Sequence, residues 1–256
     1  MHIAIITGAS SGLGRKFAEL ADKENLDELW LIARRQERLQ ELAAKCHTTT
    51  RILALDLTQP SSLEQLSARL KKENPQLKFL VNAAGFGKIG RYDEIPANEL
   101  LRMIDLNCRA AVAITQLALP YMQKGSRILE ICSVAGFQPI PYLGVYAATK
   151  AFLYRYSRAL SLELQPRGIT VTAVCPYWIK DTEFIAVAQD TKNSSYIHSF
   201  PLACTEDFVS RKAWQAAKNG AAVVTPGLIA SLDRILAKFL PHILMMRLSN
   251  LFRKIP

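Results

Sequence analysis

The chain is short of the residues that build metal centres and covalent cross-links. Its 256 residues include five cysteines (Cys46, Cys108, Cys132, Cys175 and Cys204), an odd and widely spaced set with no Cys-x-x-Cys pair. That pattern excludes a disulfide framework and a zinc knuckle. The four histidines, His2, His47, His198 and His242, show no metal-ligand spacing either, so no metal is expected. Long apolar runs are also missing, since no stretch reaches the roughly 18 residues that a spanning helix needs. Met1-His-Ile-Ala-Ile-Ile runs straight into a glycine loop, with no leader-like segment, so the expectation is a soluble, cytoplasmic protein. Acids are scarce: 22 Asp and Glu against 32 Lys and Arg give a formal charge of +10. Such an excess invites nucleic acid, a membrane surface or a phosphorylated ligand. Nucleic acid is disfavoured, because there is no zinc finger, aromatic RNA-binding motif or arginine-rich run.

What the chain does have is apolar mass, half of its residues, enough to exclude global disorder. Short Val/Ile/Leu-rich runs predict strands over His2–Ile6, Glu28–Ala33, Arg51–Ala54, Phe79–Asn82, Ser126–Ile131 and Thr170–Val174. They are continuous rather than alternating, as strands covered on both faces are. Helical patterns at Leu13–Asn25, Arg35–Lys45, Ser61–Glu73 and Tyr146–Leu164 separate them. Strands alternating with helices predict one α/β domain, residues 1–256, with a doubly wound parallel sheet of the Rossmann type. The stretch Thr182–Lys212 is polar and irregular, with a helix-start signal at Thr205-Glu-Asp. An insertion of that kind is expected to form a helical lid. In the basic segment 228–256, Leu228, Leu232, Ile235, Leu236 and Phe239 recur at helical spacing, with Arg234 and Lys238 beside the stripe. The stripe is expected to pack or self-associate, with contact to a membrane surface as the alternative.

The loop Thr7-Gly8-Ala9-Ser10-Ser11-Gly12-Leu13-Gly14 follows the first strand and opens the first helix. Glycines there permit a tight turn and let backbone N–H groups approach a pyrophosphate at the positive end of a helix. A dinucleotide site selective for NAD places a carboxylate after the second strand to meet the ribose 2′-hydroxyl. This chain has Arg34 and Arg35 there, and guanidinium forks suit a 2′-phosphate. The cofactor expected is therefore NADP(H), with Arg15 as a further positive group.

Tyr146-Ala-Ala-Thr-Lys150 sets a phenol and an ammonium one helical turn apart on one face. A cation near a phenol favours the phenolate, and a phenol so tuned can protonate a carbonyl oxygen. The pair alone is weak, since composition gives roughly an even chance of one such match. Its context is stronger. Ser133 ends the fifth strand thirteen positions earlier, Asn82-Ala83-Ala84-Gly85 ends the fourth, and Asn107 lies in Met-Ile-Asp-Leu-Asn-Cys-Arg.

In these motifs the chain resembles the short-chain dehydrogenase/reductase family, from about His2 to Pro176. The resemblance implies that Ser133 hydrogen-bonds a substrate carbonyl and Tyr146 donates the proton. It implies that Lys150 lowers the phenol's pKa and bonds the nicotinamide ribose, and that Asn107 holds a relay water. It places the cofactor against Gly8, Ser10, Ser11, Gly12, Leu13 and Gly14, then Arg34, Arg35, Asp56 and Leu57. Asn82, Ala83 and Gly85 would form the cofactor wall, with Pro176, Ile179 and Thr182 near the nicotinamide. For Asn82 and Asn107 a purely structural role is equally compatible. The chain departs from the family at Cys175-Pro176-Tyr177-Trp178-Ile179-Lys180-Asp181-Thr182, where Tyr177 replaces a glycine and Thr182 comes about one place late. The function expected is NADPH-dependent reduction of a small-molecule ketone or aldehyde, acyl- or steroid-like, by a homodimer or homotetramer. The alternatives are a catalytically silent NADPH-binding regulator and a peripheral membrane protein working through its tail.

Overall fold

The computed structural model of the chain describes residues 1–191, 196–197, 200 and 202–253. Seven parallel strands form one sheet: β1 (His2–Thr7), β2 (Glu28–Ala33), β3 (Thr49–Ala54), β4 (Gln76–Asn82), β5 (Met122–Ile131), β6 (Thr170–Val174) and β7 (Val223–Val224). Their order is β3-β2-β1-β4-β5-β6-β7. The order reverses at β1 and β4, which leaves a crevice at the carboxyl ends of those strands, the usual ligand position in such sheets.

Helices α1 (Gly12–Ala21), α2 (Gln36–Ala43) and α8 (Glu206–Lys218) cover one face of the sheet. The other face carries α3 (Pro60–Glu73), α5 (Ala111–Ala118) and α6 (Gly144–Glu163). The period of a strand explains the division. Ile3 and Ile5 of β1 enter one core with Leu66, Ile114 and Leu160, whereas Ala4 and Ile6 enter the other with Phe17, Leu39 and Trp214. Because both faces are buried, every β1 residue after His2 is buried, and the strand reads as an apolar run without alternation.

Three expectations need correction. β7 was not anticipated, because two residues carry no period; it exists by pairing Val223 with Ala173 and Val224 with Val174. β4 and β5 start earlier than their apolar runs, where Leu77 pairs with Met122 before a register shift at Phe79. Their leading residues, such as Gln76 and Gln123, are polar but hydrogen-bond each other at 2.7 Å. The third concerns residues 182–212. Thr205 does cap α8, its hydroxyl accepting from the Phe208 N–H at 3.3 Å. However, α8 belongs to the sheet layer, where Trp214 stacks on Phe79 with centroids 4.6 Å apart. The part of that segment over the crevice therefore lies before Thr205 and includes α7 (Phe184–Gln189). Residues 192–195, 198–199 and 201 of the segment, His198 among them, lie outside the described residues.

Helix α4 (Ala97–Ile104) runs into α5 through a single π turn, Asp105–Ala110. The C-terminal segment forms α9 (Leu228–Phe239) and α10 (His242–Arg253), and residues 254–256 are outside the described set. Within the chain the apolar stripe of α9 does not become a core face. Ala230 is buried, but Leu228, Leu232, Ile235, Leu236 and Phe239 are all exposed.

Candidate active site

The glycine loop is shaped by close approach. Gly8 has φ +67°, and a Cβ there would sit 2.8 Å from the Ala83 carbonyl oxygen. A Cβ on Gly14 would lie 2.2 Å from the Gly8 carbonyl oxygen, so no side chain fits where α1 presses on the loop. Thr7 at the end of β1 accepts from the Ala83 and Ala84 N–H groups, both at 3.0 Å, which locks the ends of β1 and β4 side by side. Ser11 occupies the N-cap of α1 but its hydroxyl does not cap the helix, and the first turn has no acid. The first-turn amides thus face the crevice uncapped, at the positive end of the helix dipole.

At the end of β2, Arg35 reaches back to this loop. Its guanidinium donates to Ser11 Oγ at 2.9 Å and to Ser10 Oγ at 3.2 Å. It also donates to Glu183 Oε2 at 2.8 Å, and Arg38 grips the other oxygen of that carboxylate. These two hydrogen bonds hold Glu183 below the ordinary glutamate pKa. Arg34 is exposed and lines the same crevice. Arg15 does not join them, contrary to expectation: it is drawn to Glu206 of α8 at 2.7 Å. Asp56 and Leu57 follow β3 and line the crevice, with Asp56 accepting from the Thr58 hydroxyl at 2.7 Å.

The crevice continues as a cavity of about 890 Å³, walled mainly by apolar side chains. Ser133, Tyr146 and Lys150 stand together on it. Ser133 leaves β5 in extended backbone, where its hydroxyl accepts from the Ala135 N–H at 3.1 Å and is hydrogen-bonded to the Tyr146 hydroxyl. Lys150 donates to the Ile131 carbonyl at 2.6 Å, and its ammonium lies 5.7 Å from the Tyr146 ring centroid. Close glycine contacts hold these groups in place. A Cβ on Gly136 would strike the Lys150 carbonyl oxygen at 2.7 Å, and one on Gly87 would strike the Tyr146 ring at 2.9 Å.

In the protein alone, burial sets the titration of both Tyr146 and Lys150. Burial pushes Tyr146 well above the ordinary tyrosine value, outweighing the Ser133 hydrogen bond that pulls it down. Burial likewise lowers Lys150. Desolvation dominates both because each charged form loses water in this apolar wall. At neutral pH the phenol is protonated and able to donate.

Asn82 and Asn107 differ from the other expected residues, because neither lines the cavity. Asn82 points into the layer behind it and donates to Glu130 Oε1 at 2.7 Å and to Thr115 Oγ1 at 2.9 Å. Asn107, in the π turn, donates to the Phe86 carbonyl at 2.9 Å and to Thr149 Oγ1 at 3.1 Å. Its Oδ1 accepts from the Phe86 N–H at 3.1 Å. Both amide hydrogens are engaged by protein, so the side chain fixes the strand end rather than facing the cavity. Ala83, Gly85, Pro176, Ile179 and Thr182 do line the site. Thr182 stands opposite the glycine loop, where a Cβ added to Gly12 would meet its methyl group at 3.5 Å.

Three acids escaped the sequence reading. Glu183 carries no motif, and only the fold brings it to Arg35. Glu130 is wholly buried in β5, where burial raises its pKa to about 7; an acid inside an apolar run was the available signal. Asp233 lines the cavity and accepts from Gln138 Nε2 at 3.1 Å, while Asp233 Oδ2 and Gln138 Oε1 are buried without partners. Burial raises Asp233 to about 6. It is the only acid among residues 228–256, which was its signal.

Among the described residues no group of three or more His, Cys, Asp or Glu could hold a metal ion, and no helix is long and apolar enough to cross a membrane. The family model for short-chain dehydrogenases matches residues 2–193. The chain is 35% identical over 181 residues to a very-long-chain 3-oxoacyl-CoA reductase of Phaeosphaeria nodorum, covering 67% of this chain and 53% of that enzyme. It is 30% identical over 176 residues to an uncharacterised oxidoreductase of Staphylococcus epidermidis, covering 68% of this chain and 76% of that protein. Among solved structures it resembles a short-chain dehydrogenase from Sphingobium yanoikuyae in complex with NADPH, at a TM-score of 0.79 and 29% identity, covering 100% of this chain and 97% of that one. A bulky-bulky ketone specific alcohol dehydrogenase from Comamonas testosteroni matches at a TM-score of 0.72 and 28% identity, covering 94% and 95% of the two chains. A Rossmann-type sheet, a glycine-lined crevice and a Ser–Tyr–Lys cluster thus meet in a chain that belongs to the short-chain dehydrogenase/reductase family of oxidoreductases.

Proposed function

We propose that the protein reduces the carbonyl group of a bulky, largely apolar ketone with NADPH, Tyr146 donating the proton. The observation that carries this reading is the position of the Tyr146 phenol, bonded to Ser133, on the wall of the cavity that joins the glycine loop to an apolar chamber.

The residues present fit a dinucleotide with a 2′-phosphate. The uncapped amides at Gly12, Leu13 and Gly14 receive the pyrophosphate, and Gly8, Ser10 and Ser11 shape its loop. Arg34 and Arg35 grip the 2′-phosphate, which forked guanidinium donors match. Asp56 and Leu57 meet the adenine side, Ala83 and Gly85 the central wall, and Pro176, Ile179 and Thr182 the nicotinamide side. Bound there, the cofactor supplies a hydride to the carbonyl carbon. Ser133 then donates a hydrogen bond to the carbonyl oxygen, and Tyr146 delivers its proton to that atom as negative charge develops. Lys150, held by Ile131, orients the cofactor ribose and stabilises the phenolate that remains. Asn107 acts as a positioning residue through Phe86 and Thr149. Asn82 acts only through β4 and β5.

The chamber fits an apolar substrate, since Phe86, Ile140, Leu143, Trp178 and Phe184 line it. The two related enzymes reported above act, by name, on bulky ketones and on 3-oxoacyl-CoA. Residues before Thr205 act as the lid, and the exposed Leu101 of α4 and Phe152 of α6 provide the contact for a homodimer or homotetramer. We place the enzyme in the cytoplasm.

The test is NADPH oxidation with a panel of ketones, aldehydes and 3-oxoacyl thioesters, repeated with NADH and with the Arg34→Ala/Arg35→Ala variant. Turnover of apolar ketones is expected, with the double variant losing about tenfold to a hundredfold in NADPH affinity and little in NADH affinity. NADPH binding without oxidation across the panel contradicts the reading, and equal losses for both cofactors contradict the assignment of the arginines.

A further inference from the structure

We propose that the outer face of α9 and α10 is a docking surface for an anionic lipid bilayer, from which apolar substrates pass directly into the cavity. Two observations meet here. First, these helices present Leu228, Ile235, Phe239, Ile243 and Leu244 to solvent, with Phe239 73% exposed. Second, the same helices wall the cavity through Ile229, Leu232, Asp233, Leu236 and Met245. Leu232 and Leu236 do both: they line the cavity and are 57% and 44% exposed. The mouth of the chamber therefore opens onto the exposed apolar patch. A patch of this kind on a soluble surface marks an interaction site.

Charge selects the occupant. Arg234, Lys238 and Arg247 are exposed beside the patch, and none forms a salt bridge among the described residues. The only carboxylate on the two helices, Asp233, is turned inward to Gln138. On the helical wheel, Lys238 and Arg234 fall to one side of the line through Leu228, Ile235 and Phe239, as in helices that lie in a headgroup layer. A second copy packed on the same face would offer these cations only its own α9 and α10, whose single carboxylate is turned inward. It would also close the cavity mouth. Anionic headgroups match the charge, and the acyl region matches the apolar side chains.

The docking itself is independent of the proposed activity; delivery of substrate rests on that reading. The experiment uses the full chain and co-sedimentation with phosphatidylcholine vesicles, with and without phosphatidylglycerol, at low and high salt. Two variants are compared: Arg234→Glu/Lys238→Glu/Arg247→Glu and Phe239→Ser/Ile243→Ser. NADPH turnover is followed in parallel on a water-soluble ketone and on a long-chain ketone dissolved in the vesicles. The proposal expects salt-sensitive binding only to vesicles containing phosphatidylglycerol, weakened by about two orders of magnitude in the charge-reversed variant. Both variants should keep aqueous turnover and lose turnover of the vesicle-borne ketone. Failure to bind, or binding unchanged in both variants, overturns the proposal. So does a wild-type dimer that Phe239→Ser/Ile243→Ser converts to monomer, which would give the face to a second copy. Vesicle binding as expected, with no turnover in any arm, supports docking and refutes the reductase reading instead.

Discussion

At the end of β2 two neighbouring arginines stand in different company. Arg34 forms no salt bridge among the described residues and is exposed, whereas Arg35 is shared between Ser10, Ser11 and Glu183. Glu183 precedes α7, so the carboxylate lies where the segment over the crevice crosses toward the arginines. A 2′-phosphate seeking Arg35 meets a negative group already bound to it. Glu183→Gln removes that competition while keeping the side chain's shape. The pair is half exposed, so the effect is modest. Titration of cofactor fluorescence should show NADPH binding about two- to fivefold tighter in the variant, with NADH unchanged. Weaker NADPH binding would mean that Glu183 clasps the segment closed over the cofactor rather than opposing the phosphate. The arginines themselves were legible in the chain as the missing carboxylate after the second strand. Glu183 was not, because 148 residues separate it from Arg35 and no local pattern joins them.

Between elements, the least expected feature is the buried cluster of Glu130 in β5, Asn82 in β4 and Thr115 in α5. It bonds three elements just behind the catalytic wall. Glu130 Oε2 and Asn82 Oδ1 have no partner there, so the ionised form carries desolvation that its hydrogen bonds offset only in part. That cost raises the folded-state pKa from 4.5 to about 7. Its sign fixes the pH dependence. The folded protein binds the proton more tightly than the unfolded chain, so this stability is full below pH 4.5 and is lost as pH rises to about 7. Urea denaturation across this range should show the wild type losing on the order of 3 kcal/mol relative to Glu130→Gln. Parallel pH profiles for the two proteins would show that Glu130 ionises freely in the fold. Elements with a strong local pattern were readable: the apolar runs of β1, β2 and β6, and the periodic helices α1 to α3 and α6. β7, the leading ends of β4 and β5 and the reach of the lid were not, because pairing partners and helix docking decide them rather than local pattern.

Across the whole molecule, one sheet edge gathers groups from β1, β2, β3, β4, β5 and α6 into a single crevice, and the C-terminal helices line its open far end. The glycine loop, Ser133, Tyr146 and Lys150 could be found in the chain because each sits at a strand end or one helical turn from its partner. The apolar chamber could not, since Trp178, Phe184, Leu232 and Met245 converge on it from separate segments. The tail stripe was readable as a helix, but its outward face depends on how α9 sits beside the cavity. The central claim is that the buried phenol of Tyr146 gives its proton to a carbonyl oxygen. Single-turnover oxidation of NADPH by Tyr146→Phe, with cofactor affinity measured on the same preparation, tests it most directly. The account predicts unchanged NADPH binding with the chemical step slowed by about a hundredfold to ten-thousandfold. A variant that binds NADPH and reduces ketone at the wild-type rate would contradict it.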